Sequence, residues 1–199
     1  LYLEGKGGER DRSKTIDYYK KTGELNHYNG FVFLGEIYYY GIDTAKDYPR
    51  ALFNFQKSCK TNNTIANIYI GDYYLYIEKN PQLAIKHYEE ASSRFNMIAQ
   101  FKLGKLYLEG TKDNIITPNY NLSKKYFEES ATSNYPDAFY YLGKIYYEGL
   151  GVEQNYKRAR EYFEYSALYS NKKALYYLGR IFENGEGMSA SLSEAIGYY

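Results

Sequence analysis

Apolar residues recur along the chain in pairs of helical stripes. Between Asp137 and Lys172, the residues Ala138, Leu142, Ile145 and Tyr146 fall three and four apart, which puts them on one face of a first helix. Asp137 stands ahead of that stripe as its expected N-cap. Gly149-Leu150-Gly151 ends it, because glycine accepts the left-handed backbone common just past a helix C-terminus. A second stripe of Tyr156, Ala159, Tyr162, Phe163, Ser166 and Ala167 predicts a second helix, so the unit is a helix hairpin.

That hairpin recurs. Leu34-Gly35, Ile70-Gly71, Leu103-Gly104, Leu142-Gly143 and Leu178-Gly179 each lie in a first-helix stripe, with glycine spacings of 36, 33, 39 and 36 residues. The second stripe returns as Ala51, Phe55 and Ser58, as Ala84, Tyr88 and Ala91, and as Ser123, Tyr126, Phe127, Ser130 and Ala131. It also opens the chain (Thr15, Tyr18, Tyr19) and closes it (Ala195, Tyr198, Tyr199). Self-similarity at a period of roughly 34 to 40 residues marks an all-α solenoid, in which each unit buries its apolar face only by stacking on its neighbours. One continuous array over 1–199 is expected, with a partial repeat at 1–28, repeats at 29–64, 65–97, 98–136 and 137–172, and a partial repeat at 173–199.

Small and aromatic positions alternate on the second helices, so close approach of helix axes and ring-filled grooves should set the stacking. A mid-helix glycine costs about 1 kcal/mol of propensity against alanine, which makes close packing the reason to expect for each Leu-Gly pair. Length varies between the two helices. Glu78-Lys79-Asn80-Pro81 replaces the glycine loop in the second copy, and Thr111 to Asn121, with Ile115-Ile116-Thr117-Pro118, lengthens the third. The longer loop either packs locally or projects as a contact loop.

The pattern Ala-x-x-x-Leu-Gly-x-x-Tyr, a Gly-x-Gly loop and Ala-x-x-Tyr-Phe-x-x-Ala-Ala resembles the Sel1-like repeat, and segments 138–152 and 174–179 match it nearly throughout. The tetratricopeptide repeat is the next most similar class, with a tighter period and without the Gly-x-Gly loop. The resemblance implies a right-handed α-solenoid of stacked helix hairpins and a binding scaffold. Family members act as adaptors in protein complexes, including the luminal Hrd3/SEL1L-type subunit of a membrane ubiquitin ligase in endoplasmic-reticulum-associated degradation, whose insertion the third copy faintly resembles. That branch would place the chain in the endoplasmic reticulum lumen. Bacterial members act in secretion and host interaction. A bacterial branch linked to penicillin binding carries a cysteine pair in each repeat, from which this chain departs, having only Cys59.

Composition narrows the partners. The net charge of +1, from 25 basic and 24 acidic residues, argues against a backbone-driven nucleic-acid binder, and no apolar run reaches the roughly 20 residues of a spanning helix. Other proteins or peptides are the expected partners, with no membrane contact by this segment. The chain opens without Met on Leu1-Tyr2-Leu3-Glu4-Gly5, which repeats Leu106 to Gly110 from mid-repeat, and closes inside a repeat. An excerpt of a longer protein is expected, and its uncapped ends allow self-association. Asn62 and Asn121 begin Asn-x-Ser/Thr triplets, which permit a secretory location without indicating one.

Reaction chemistry is not apparent, and no catalytic, cofactor or metal residues are assigned. His27 and His87 lie far apart with no cysteine or histidine cluster around them, and His87 stands where other copies have Tyr126 and Tyr162, a packing position. Cys59 takes a small-residue slot shared with Ser92, Ala131 and Ala167, expected to hold a structural thiol. Gly5-Lys6-Gly7-Gly8 and Gly185-Glu186-Gly187 follow no strand and lack the Gly-Lys-Ser/Thr ending, so they read as helix-terminating loops. Glu89-Glu90 and Glu128-Glu129 read as solvated faces.

A candidate partner surface comes from helical geometry. Counting the first helix from its small starting residue, at about 100° per residue, positions three, seven and ten point away from the hairpin core, toward what would be the concave face. Position three reads Val32, Ile68, Phe101, Tyr140 and Tyr176; position ten reads Tyr39, Leu75, Leu108, Tyr147 and Glu183. Position seven reads Glu36, Asp72, Lys105, Lys144 and Arg180, acidic then basic. These fifteen residues suit a groove with aromatic walls and a charge ladder for an extended peptide. The competing reading is of solvated charges, with rings covering neighbouring turns. The expected function is a non-catalytic interaction scaffold, including the ubiquitin-ligase adaptor role; the alternatives are a regulatory or targeting segment of a larger enzyme, or a secreted bacterial effector.

Overall fold

The computed structural model describes residues 12–25, 29–60 and 63–199, and every regular element among them is an α-helix. His27, Asn62 and the Gly5–Gly8 stretch lie outside these residues. The helices group into two compact units, one ending at Arg94 and one starting at Phe95. The first holds α1 (Arg12–Glu24), α2 (Asn29–Tyr40), α3 (Tyr48–Cys59), α4 (Thr64–Tyr76) and α5 (Pro81–Ser92). The second holds α6 (Met97–Glu109), α7 (Tyr120–Thr132), α8 (Pro136–Glu148), α9 (Tyr156–Ala167), α10 (Lys172–Asn184) and α11 (Leu192–Tyr198). Within each unit a first helix pairs with the second helix of its hairpin, and that second helix packs on the next hairpin's first helix.

Short polar residues start nearly every helix. Asp47, Asn80, Asn119 and Asn155 accept a backbone N–H in the first turns of α3, α5, α7 and α9, and Asn63, Asn96 and Asn171 each accept two in α4, α6 and α10. The expected N-cap of α8 is corrected: the helix begins at Pro136, with Tyr135 at the cap making no side-chain bond. Proline needs no partner for a missing N–H and its fixed φ is already helical, so it starts the helix one residue ahead of Asp137. Asp137 instead accepts the Asn171 amide at 2.9 Å. At the other end, Gly149 and Gly185 close α8 and α10 in the left-handed conformation, as the glycine loops predicted.

The recurrent glycines are where rings dock. A Cβ built on Gly104 would lie 2.7 Å from the Phe127 ring, on Gly143 2.6 Å from Phe163, and on Gly179 2.7 Å from Tyr199; Gly35 and Gly71 are covered in the same way by Phe55 and Tyr88. Each ring comes from the second helix of the same hairpin, or in the case of Tyr199 from the residue just after it. The phenylalanines among them meet an aromatic residue of the next hairpin with the other face: Phe55 stacks on Tyr69 at 4.7 Å, Phe127 on Tyr141 at 5.0 Å and Phe163 on Tyr177 at 4.8 Å between centroids. Small residues complete the seam. Ser123 Oγ donates to the Gly104 carbonyl at 2.9 Å and Ser130 Oγ to Met97 at 2.8 Å, so these buried hydroxyls are satisfied.

A second row of rings lies alongside. Tyr107 stacks on Tyr126, Tyr146 on Tyr162 and Phe182 on Tyr198, at 5.9, 5.7 and 5.4 Å. His87 takes this place in the second hairpin, stacked on Tyr74 at 5.6 Å with Nδ1 3.0 Å from Asn67 Oδ1, which bears out its reading as a packing residue. Burial lowers its pKa from the ordinary 6.5, with Glu90 opposing and Lys86 assisting. The long loop of the third hairpin packs on itself: Thr111 N–H donates to the Ile116 carbonyl at 2.8 Å, Ile116 N–H to Thr111 Oγ1 at 3.0 Å, and Asn119 N–H reaches the Tyr107 carbonyl at 2.7 Å.

Three outcomes follow for stability. Gly143→Ala should destabilise by roughly 1–3 kcal/mol in urea unfolding through overpacking against Phe163, although alanine is the better helix former. Gly197→Ala, where a Cβ meets nothing within 4 Å, should be neutral or stabilising. His87 is held neutral, so folding stability should be intact at pH 7 and fall as pH drops through about 6.5, since protonation favours the unfolded chain. Thermal melts at pH 7.5 and 5.0 should therefore differ more for the native protein than for His87→Tyr.

Candidate functional site

The two apolar rows of the candidate surface are largely packed away, which corrects their placement. Val32 is 4% exposed, Ile68 6%, Tyr140 8%, Leu108 8% and Tyr147 9%. The first helix of a stacked hairpin is covered over a wider arc than its own partner helix provides. Val32 packs with Ala51, Phe55, Ala66 and Ile70, Leu108 with Phe127, Ala138 and Leu142, and Tyr140 and Tyr147 with Phe163, Ala174 and Leu178. Phe101, Tyr39 and Leu75 are half-buried, and only Tyr176 and Glu183 are exposed. Burial pushes the Tyr140 phenol up to about 12, and Tyr39 likewise to about 12, so both stay neutral.

The charged row is engaged within each unit. In the first, Glu36 accepts the Tyr69 hydroxyl at 2.7 Å and Asp72 the Tyr88 hydroxyl at 2.6 Å. In the second, Lys105 pairs with Glu109 at 3.7 Å and Lys144 with Glu148 at 3.8 Å, both partly exposed, and Arg180 lies over the Tyr147 ring at 5.8 Å. Such pairs are individually weak and screened by salt, so these lysines can exchange partners at little cost.

A cleft of about 490 Å³ opens in the second unit, where α6, α8 and α10 come together. Phe101, Tyr140 and Tyr141 line it with rings, Lys105, Lys172 and Lys173 with cations, and Asp137 and Asn171 complete it. Lys173 Nζ lies 5.8 Å from the Tyr140 centroid and Lys105 Nζ 5.9 Å from that of Tyr141, so the rings hold the ammonium groups at the cleft wall. Its one carboxylate, Asp137, is bound to Asn171.

Of the fifteen sequence candidates, the cleft gathers Phe101, Lys105 and Tyr140. Counting along one helix face passed over Asp137, Tyr141, Asn171, Lys172 and Lys173, because they sit at helix starts or at position four. A signal for two of them was present. Lysines open α10 with no acidic residue in its first turn, against the preference for carboxylates at the positive end of the helix dipole. No helix among the described residues is long and apolar enough to cross a membrane, and no cluster of three or more metal-ligating side chains occurs among them. Cys59 is half-buried beside the Ala51 and Phe55 core, and burial pushes its thiol up to about 11, away from the reactive thiolate.

Comparison with known proteins gives this architecture a place. No curated protein matches the chain. Among solved structures, a protective antigen of uropathogenic Escherichia coli with an SLR fold superposes with a TM-score of 0.84 at 28% identity, over 99% of this chain and 42% of that one, so the chain spans less than half of that protein's length. A Sel1 repeat protein from Oxalobacter formigenes gives a TM-score of 0.84 at 25% identity, over 99% of this chain and 81% of its own. The immunity protein Pa5087 from Pseudomonas aeruginosa gives 0.60 at 25% identity, over 92% of this chain and 70% of its own. The Sel1 repeat model matches residues 1–27, 32–63, 65–94, 98–135, 136–168 and 172–199. The chain belongs to the Sel1 repeat family, whose α-solenoids mediate protein–protein interaction.

Proposed function

We propose that the chain is a non-catalytic scaffold that holds a partner protein on the first-helix surface of its second unit. The observation that carries this reading is the open cleft at α6, α8 and α10, where the exposed Lys172 and Lys173 border the half-buried Phe101 and Tyr141 rings and the edge of the buried Tyr140, in a repeat whose other recurrent residues serve packing. Aromatic side chains beside charged groups are the chemistry of protein recognition, and a cleft of this size takes a few side chains of a partner. The residues that could have suggested a reaction are accounted for in packing: His87 is stacked and held neutral, and Cys59 is held as a thiol.

The ubiquitin-ligase adaptor role draws on the family resemblance and faintly on the long third loop, which is hydrogen-bonded within itself and exposed along most of its length. The solved structures described above are bacterial, which favours a bacterial interaction system over it. The likeness to an immunity protein at 25% identity supports a second reading, in which the scaffold serves an immunity function.

A photo-cross-linking residue placed at Lys172 or Tyr176, both exposed on α10, and activated in the cells that make the protein, should trap a discrete partner protein identifiable by mass spectrometry. The same residue at Glu161, exposed on α9, should not trap it. Equal yields at all three positions, or adducts free of protein, would contradict the scaffold reading.

A further inference from the structure

We infer that the second-unit cleft takes an extended acidic segment of its protein partner, with carboxylates on Lys105, Lys172 and Lys173 and an apolar side chain between them against Phe101, Tyr140 and Tyr141. This rests on the scaffold reading and gives its partner a chemistry.

Charge complementarity carries it. Three ammonium groups meet one carboxylate in the cleft, and that carboxylate already accepts a hydrogen bond from Asn171. Lys172 and Lys173 are exposed and make no ion pair among the described residues. They also stand at the positive end of the α10 dipole, whose first N–H groups are capped by Asn171 Oδ1. The local potential at the start of α10 is therefore positive, and an incoming carboxylate relieves repulsion between Lys172 and Lys173, while Lys105, paired with Glu109, can exchange that partner at little cost. Lysines act as point charges with rotatable donors, which suits flexible carboxylates better than the planar, two-pronged recognition that arginine supplies.

The aromatic lining decides the rest of the ligand. Lys173 and Lys105 already cover part of the Tyr140 and Tyr141 rings, so the ring surface left beside them is bounded by charge on both sides. An acidic segment interrupted by a Phe, Leu or Tyr matches that order of cation, ring and cation. A nucleic acid, the other polyanion, needs a basic track in step with its phosphates, whereas this chain carries a net charge of only +1.

The test is fluorescence anisotropy with a labelled nonapeptide of four Glu, one Phe and four Glu, at low and moderate salt. The peptide should bind the full chain and weaken at least about tenfold with Lys172→Glu/Lys173→Glu, a change that suits the α10 dipole and should leave the helical circular dichroism intact. Asp137→Asn should retain or tighten binding, and replacing the peptide's Phe by Gly should weaken it. Unchanged affinity in the double variant, no binding at low salt, or tighter binding of a single-stranded nonanucleotide would overturn the inference. If cross-linking still traps a partner while the acidic peptide fails, the scaffold reading stands and the acidic-ligand inference falls.

Discussion

The structure depends on a ring lying where a side chain is missing. In each hairpin the glycine after Leu or Ile leaves a gap one Cβ wide, and Phe55, Tyr88, Phe127 or Phe163 fills it so closely that an added Cβ could not coexist with the ring. Interiors pack as tightly as organic crystals, so this contact fixes both the distance and the rotation between the two helices. The same ring then presents its far face to the next hairpin, as Phe55 does to Tyr69, Phe127 to Tyr141 and Phe163 to Tyr177. One residue thus serves cohesion within a repeat and stacking between repeats. The third copy carries Lys102 at the position where the others carry Phe33, Tyr69, Tyr141 and Tyr177.

Tyrosine supplies more than area. Tyr88 takes the place that Phe55, Phe127 and Phe163 hold, and its hydroxyl donates to Asp72, while Tyr69 donates to Glu36 and Tyr147 to Glu186 at 2.9 Å. Each bond satisfies one oxygen of a carboxylate at the edge of an apolar stack, while Glu186 Oε2 stays buried without a partner. The phenols respond: burial, and then the neighbouring Glu186, hold Tyr147 well above its ordinary value, and burial with Asp72 does the same to Tyr88. An abundance of tyrosine, 29 residues in all, therefore has a structural use as stacking surface with a polar handle.

Much of the fold was legible in the sequence. The Leu-Gly pairs, the alternation of small and aromatic residues, the glycine loops and the packing place of His87 all express local rules that read off one helix at a time. The candidate surface was less legible, for a geometric reason. Period 3.6 gives an angle relative to a helix's own stripe, but the first helices of a stack meet several neighbours, so Val32, Leu108 and Tyr147 point away from one partner and into another. The bond between Asp137 and Asn171 likewise joins adjacent repeats, which no single-helix count includes. The residues that broke a local rule, Lys172 and Lys173 at a helix start, are among those that line the cleft.

The central claim is that ring and glycine act as a coupled pair, and a double-mutant cycle on Gly143 and Phe163 tests it most directly. Phe163→Leu alone loses packing, and Gly143→Ala alone overpacks. If the contact governs the hairpin, Gly143→Ala should cost much less, or stabilise, once Phe163 is leucine, giving a coupling energy of about 1–3 kcal/mol in urea unfolding. Additivity within about 0.5 kcal/mol would mean that the glycine and the ring act independently, and would contradict the account.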